Sequence, residues 1–187
     1  NEIAVGDPTD PSTDIGPVID ADAKAMLEAH LDAMAKAGRK IHRPERAVAL
    51  PEGSMAFAPA IVELESLDEI EEEKFGPILH VVRYKRAKLE ETARALAAKG
   101  YGLTLGVHSR LERFAETVRA CVPAGNLYVN RNMTGAVVGV QPFGGEGLSG
   151  TGPKAGGPNY LPRFAAERVI TVNIAAQGGD PELLSLA

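Results

Sequence analysis

Apolar positions recur along this chain with two periods, and the alternation between them divides it into elements. Between Asp20 and Gly38, Leu27, Leu31 and Met34 fall on one helical face, with Asp20 placed to cap the start and Lys36 and Gly38 to close the end. Ala60-Ile61-Val62-Glu63-Leu64 reads as a short strand, and residues 68–74 as an acidic helical turn ended by Phe75-Gly76-Pro77. Residues 78–84 form a strand rich in branched side chains. Residues 88–99 form a helix with Leu89, Ala93 and Leu96 on one face, stopped by Gly100. Leu103, Leu105 and Val107 alternate as a strand. Ser109 and Glu112 have the spacing of a capping box for a helix whose stripe is Leu111, Phe114, Ala115 and Val118. Residues 126–130 read as a further strand, and residues 168–174 as the last. This order predicts an α/β domain with a largely parallel sheet flanked by helices.

Composition narrows the class without choosing a function. A chain of 187 residues, 44% apolar and 24% charged, suits a soluble globular domain with a substantial core. Its net charge of −5 leaves no basic footprint for nucleic acid or anionic lipid, and its apolar runs are too short to span a bilayer. No charged start followed by an apolar stretch reads as a signal peptide, and the first residue is Asn1, so the chain is expected to be a piece of a longer protein. One cysteine forms no internal disulfide, which fits the cytoplasm. His30, His42, His80 and His108 show no paired spacing that suggests a metal site, and are expected to be surface or core imidazoles.

Residues 141–158, QPFGGEGLSGTGPKAGGP, pose the functional question. Gly145, Gly147 and Gly150 match G-x-G-x-x-G. A dinucleotide fingerprint needs a strand before its first glycine and a helix opening at its third. Here Pro142 precedes the glycines, and the TGPKAGGP that follows starts no helix. A Walker loop fails because Pro153 separates Gly152 from Lys154 and no Ser or Thr follows the lysine. A flexible linker is the plainer reading. Against it stand Val137, Val138, Val140, Phe143, Leu148 and Tyr160, whose side chains favour burial. The expectation is therefore an ordered loop in which glycines admit close approach or positive φ.

Three motifs in order then resemble one family. Glu73-Lys74-Phe75-Gly76-Pro77 resembles the E-x-F-G-P motif of NAD(P)-dependent aldehyde dehydrogenases. Gly125 to Asn130, GNLYVN, and then Pro142-Phe143-Gly144-Gly145 resemble the G-x-x-x-x-N and P-F-G-G segments that follow there. Gly6-Asp7-Pro8 and Gly16-Pro17 resemble its early turns. The run NRNMTGAVVGVQPFGGEGLSGTGPKAGGP is similar to the glutamate-semialdehyde (1-pyrroline-5-carboxylate) dehydrogenase branch. The ending VNIAAQGGDPELLSL resembles the dehydrogenase module of the bacterial bifunctional proline utilization A proteins.

The resemblance implies an aldehyde-dehydrogenase-like catalytic domain seen in its C-terminal portion, with residues 1–165 inside that domain and 166–187 forming an oligomerisation strand and tail. It implies NAD as cofactor, Glu73 accepting hydrogen bonds from the nicotinamide ribose and Phe75 walling the nicotinamide ring. It implies that Thr134-Gly135-Ala136 begins the loop that anchors the semialdehyde carboxylate, through the backbone N–H groups of Gly135 and Ala136, with Phe143 along the aliphatic part of the substrate. In the family the nucleophilic cysteine, the general-base glutamate and the cofactor-binding domain lie upstream. Cys121, at the apolar end of a helix, is instead expected to pack as a small hydrophobe. The implied partners are glutamate semialdehyde, NAD and further copies of the chain, with FAD confined to a proline dehydrogenase module elsewhere in the parent. No catalytic residue is expected here, and the fragment by itself is expected to be inactive. Two other readings compete: a non-catalytic assembly domain of the same fold, and an aldehyde dehydrogenase of other specificity.

Overall fold

The computed structural model describes residues 2–44, 53–137, 139–150, 152–173, 176, 178 and 182. Val138, Ile174 and nearly all of the expected tail fall outside them. The chain divides into two compact units, Asn1–Lys99 and Gly100–Ala187.

The first unit is built on α1, Ala21–Lys36. Its ends are set by local chemistry: Asp20 Oδ1 accepts from the Ala23 N–H at 2.7 Å. At the other end Gly38 takes φ +75°, and the Arg39 N–H reaches back to the Met34 carbonyl at 2.9 Å, closing a Schellman turn. Three strands follow, β1 (Lys40–His42), β2 (Ala60–Leu64) and β3 (Ile78–Val82), in the order β1-β2-β3. β2 and β3 run parallel in a register that pairs Ala60 with Ile78 and Leu64 with Val82, and β1 joins antiparallel. Leu27 and Leu31 of α1 pack on Phe57, Ala60, Val62 and Leu64, with Met34, Ile41, Ile78 and Val82 around them. Leu27, Leu31 and Val62 lose essentially all contact with water, each worth about 1.5–3 kcal/mol. α2, Leu89–Ala97, ends the unit.

The second unit contains β4 (Tyr101–Gly102), β5 (Thr104–Val107), α3 (Glu112–Cys121), β6 (Asn126–Val129) and β7 (Glu146–Gly147). β5 and β6 form a parallel pair, Thr104 opposite Asn126 and Val107 opposite Val129, while β4 and β7 pair antiparallel.

The parallel pairs and the three helices stand where the periodicity puts them. Four expectations are corrected. The helical turn covers Leu67–Glu69 rather than residues 68–74, because the capping box lies there: the Glu69 carboxylate accepts from the backbone of Glu65 and Ser66 and also binds Arg39. Ser109 and Glu112 form no box. Two bonds of 2.9 Å tie the Ser109 backbone to the Asn130 side chain, so α3 starts from Leu111 without a side-chain cap. Residues 168–173 form no strand, and Val169 and Ile170 are exposed, since no strand of the described chain lies alongside to complete a ladder. Val137, Val140, Leu148 and Tyr160 are exposed rather than buried. The glycine-rich segment is nonetheless an ordered loop, held by backbone and side-chain bonds described below.

Candidate functional site

Two segments, one in each unit, carry the predicted site residues. The first is the turn that connects the 3₁₀ turn to β3. Gly76 lies directly on α1: a Cβ built there would stand 2.4 Å from Leu27 Cδ1. Its carbonyl accepts from the Ile78 N–H at 2.8 Å, and the Pro77 carbonyl accepts from the Ala60 N–H at 3.0 Å. The turn is thus fixed to the helix on one side and to the sheet on the other. Glu73 and Phe75 flank Lys74 and both project outward. Phe75 is 80% exposed, a large flat apolar face with nothing over it, and the Glu73 carboxylate has no hydrogen-bond partner among the described residues. A free carboxylate beside an uncovered aromatic ring fits a ribose with an attached planar ring.

Lys74 points the other way. It is half-buried and paired with the Glu72 carboxylate, and that pairing holds Glu72 below the usual carboxylate range. Beside it stand two histidines that the sequence keeps fifty residues apart. His30 Nε2 of α1 and His80 Nε2 of β3 are 2.8 Å from each other, with the rings at 71°. Burial pushes both imidazoles below their ordinary value; His80 and Lys74 depress His30 further, and Lys74 depresses His80. This pairing is not visible in local spacing. A signal was available, however: His30 shares the Leu27, Leu31 and Met34 stripe, and His80 shares a strand face with Ile78 and Val82.

The second segment is the glycine-rich loop. Gly125 at its base admits a backbone approach no other residue would, since a Cβ there would lie 1.7 Å from the Gly144 carbonyl oxygen. Asn126 then spans the loop, donating from Nδ2 to the Pro142 carbonyl at 3.0 Å and accepting at Oδ1 from the Gly144 N–H at 3.3 Å. Phe143, half-buried, exchanges both backbone bonds with Ala155 at 2.9 and 3.0 Å. Ser149 Oγ accepts from the Gly102 N–H at 3.2 Å.

Residues 134–136 are held from one side only. Tyr128 is buried in β6 and donates its hydroxyl to the Gly135 carbonyl at 2.8 Å, and the Arg131 guanidinium lies 4.6 Å above the Tyr128 ring. Gly135 itself takes a φ of +65°, which glycine adopts without strain. The N–H groups of Gly135 and Ala136 have no partner among the described residues. Asn126 and Tyr128 are therefore supporting residues to which motif reading assigns no role. Cys121 is the last residue of α3 and half-buried. Among the described residues there is no group of three or more potential metal ligands, and no helix long and apolar enough to cross a membrane.

Comparison with known proteins gives the family of the chain. Residues 1–170 match the aldehyde dehydrogenase family. The chain is 50% identical over 183 residues to the bifunctional protein PutA of Escherichia coli, covering 94% of the chain and 14% of that protein. The crystal structure of a bifunctional proline utilization A protein superimposes with a TM-score of 0.83 at 56% identity, covering 95% of this chain and 18% of that one. A 1-pyrroline-5-carboxylate dehydrogenase from Thermus with bound NAD gives a TM-score of 0.72 at 36% identity, covering 87% of this chain and 31% of that one. The chain spans less than a third of each of these relatives. On the family match over residues 1–170, this chain belongs to the aldehyde dehydrogenase family.

Proposed function

We propose that the chain is the C-terminal part of the catalytic domain of an NAD-dependent L-glutamate γ-semialdehyde (1-pyrroline-5-carboxylate) dehydrogenase, carried by a bifunctional proline utilization protein of the cytoplasm. The observation that carries this reading is identity near one half to bifunctional PutA proteins along almost the whole chain, both loops included. The parent oxidises the semialdehyde to L-glutamate. When bound, the nicotinamide supplies the hydride acceptor. The nucleophilic cysteine and the general-base glutamate belong to the parent's upstream segment, so this chain contributes binding and orientation.

Glu73 accepts the ribose hydroxyls, a charge-assisted contact worth about 1.5–3 kcal/mol. Phe75 covers the nicotinamide face. The N–H groups of Gly135 and Ala136 receive the substrate carboxylate, and Phe143 packs along the carbon chain between carboxylate and aldehyde. Residues 166–187, with Val169, Ile170 and Val172 exposed, pair with a neighbouring subunit in a homo-oligomer. FAD belongs to the proline dehydrogenase module of the parent. The fragment alone is inactive.

The test uses the full-length parent with NAD and L-glutamate γ-semialdehyde, following NADH. Glu73→Ala is expected to raise KM for NAD about tenfold or more, as loss of that contact requires. An Ala136→Pro variant removes one amide donor while leaving the positive φ of position 135 to glycine, and is expected to raise KM for the semialdehyde instead. A parent inactive on every aldehyde returns the chain to an assembly role.

A further inference from the structure

We propose that His30 and His80 form a proton-sensitive latch that fixes the start of β3 to α1, and with it the direction of the turn that carries Glu73, until both imidazoles are protonated. The inference rests on the reading of Glu73 as the ribose ligand. It concerns how that carboxylate is held in place.

Glu73 and Phe75 make no contact of their own that fixes them, so their direction is set by the residues between and after them. Gly76 is one anchor, on Leu27 of α1. The other is one helical turn further along the same face, where His30 meets His80 across 2.8 Å and Lys74 lines the same cavity as both rings. Leu27, His30, Leu31 and Met34 form one stripe, so the turn and the start of β3 are gripped by α1 at two points. Between those points the chain has to present Glu73 and Phe75 outward.

The proton count decides when the second grip holds. Two ring nitrogens at hydrogen-bond distance need one N–H and one lone pair. A neutral pair satisfies this, and so does a pair carrying one extra proton on the Nδ1 of the donor ring. A second proton puts two N–H groups face to face and two cations beside Lys74. The charged groups that face the pair are those lining a cavity of about 190 Å³ with Met34 and Ile70: Glu69, Glu71, Glu72 and Lys74. Glu69 is taken by Arg39 and Glu72 by Lys74. Glu72 is the carboxylate that favours a charged His30, and it is already engaged by Lys74; at His80 burial and Lys74 both oppose the charge. Burial and Lys74, which already disfavour the charged rings, act in the same direction.

The experiment measures Kd for NAD by calorimetry on the full-length parent between pH 8 and pH 5, which avoids the pH-dependent speciation of the aldehyde. The wild type is expected to weaken about fivefold or more below the ordinary histidine value near 6.5, with a proton order above one. His30→Gln and His80→Gln keep a hydrogen-bonding side chain but take up no proton. Each is expected to flatten the profile while Kd at pH 8 stays within about threefold of wild type. Lys74→Met leaves both rings in place and is expected to move the weakening to lower pH, so the inference stays testable if a histidine variant folds poorly. Glu73→Gln at pH 8 separates the two levels of reading. If it leaves Kd unchanged, the ribose assignment fails and the latch fails with it. If it raises Kd while the wild type and both histidine variants share one pH profile, or Lys74→Met leaves the profile unmoved, the latch alone is overturned.

Discussion

Replacing Gly76 by alanine tests the packing that places the turn carrying Glu73 and Phe75. The backbone there is not in the left-handed region, so the cost is steric alone. A Cβ would stand 2.4 Å from Leu27 Cδ1, 2.9 Å from Cδ2 and 3.2 Å from Cγ. Ordinary carbon contacts lie at about 3.5–4.0 Å, so more than 1 Å of movement is required. Leu27 is fully buried among Leu31, Phe57 and Val62 and has nowhere to go. Overpacking of this kind costs about 1–3 kcal/mol. Leu27→Ala alone costs about 2–5 kcal/mol through lost burial and the cavity left behind. It also removes the atoms that the added methyl would strike, so Gly76→Ala should cost almost nothing in that background. The assay is the urea midpoint for loss of dehydrogenase activity in the parent, measured for wild type, both single variants and the double. The expected coupling is about 1–3 kcal/mol. Effects that add to within about 0.5 kcal/mol would refute the contact as the reason for glycine at this position.

Three further outcomes are expected. Tyr128→Phe removes the hydroxyl that fixes the Gly135 carbonyl at 2.8 Å and should raise KM for the semialdehyde about three- to tenfold while KM for NAD is unchanged. Asn130→Ala loses both bonds to Ser109 and retains a positive φ of 55°, and should destabilise by about 2–4 kcal/mol in urea titration; Asn130→Gly recovers about 1 kcal/mol by relieving the backbone. Acid titration of stability tests His30 and His80. Their folded values lie below the unfolded value of about 6.5, so between the two the unfolded chain binds more protons and stability rises with pH. That contribution is complete above about 6.5 and is lost as pH falls toward the folded values, so wild type should lose thermal stability on acidification faster than a His30→Gln/His80→Gln variant.

Elements whose signal is local were readable. Asp20 and Gly38 bracket α1, and the branched runs mark β2, β3 and β6, because caps and periodicity act within a few residues. β1 was not readable, since Lys40-Ile41-His42 is too short and too polar to show alternation and forms by pairing with β2. The capping box expected at Ser109 yields to Asn130, twenty-one residues away, which takes the serine backbone for its own. Exposure of Val140 and Leu148 teaches the same lesson: apolar character states a preference for cover and does not say which chain supplies it. At the candidate site, the motifs named Glu73, Phe75 and Gly135. The contacts around them, His30 on His80, Asn126 on Pro142 and Gly144, and Tyr128 on Gly135, emerge only when segments distant in sequence are brought together.

The most direct measurement compares kcat/KM of the full-length parent, with NAD, for L-glutamate γ-semialdehyde and for an aldehyde of equal length without the carboxylate and amine. A preference of about a hundredfold or more for the semialdehyde, reduced about tenfold by Ala136→Pro, is the expected result, since an anion held by two amide donors is worth several kcal/mol and this variant removes one of them. Equal turnover of the two aldehydes by wild type would contradict carboxylate recognition at residues 134–136 and move the protein to another aldehyde specificity.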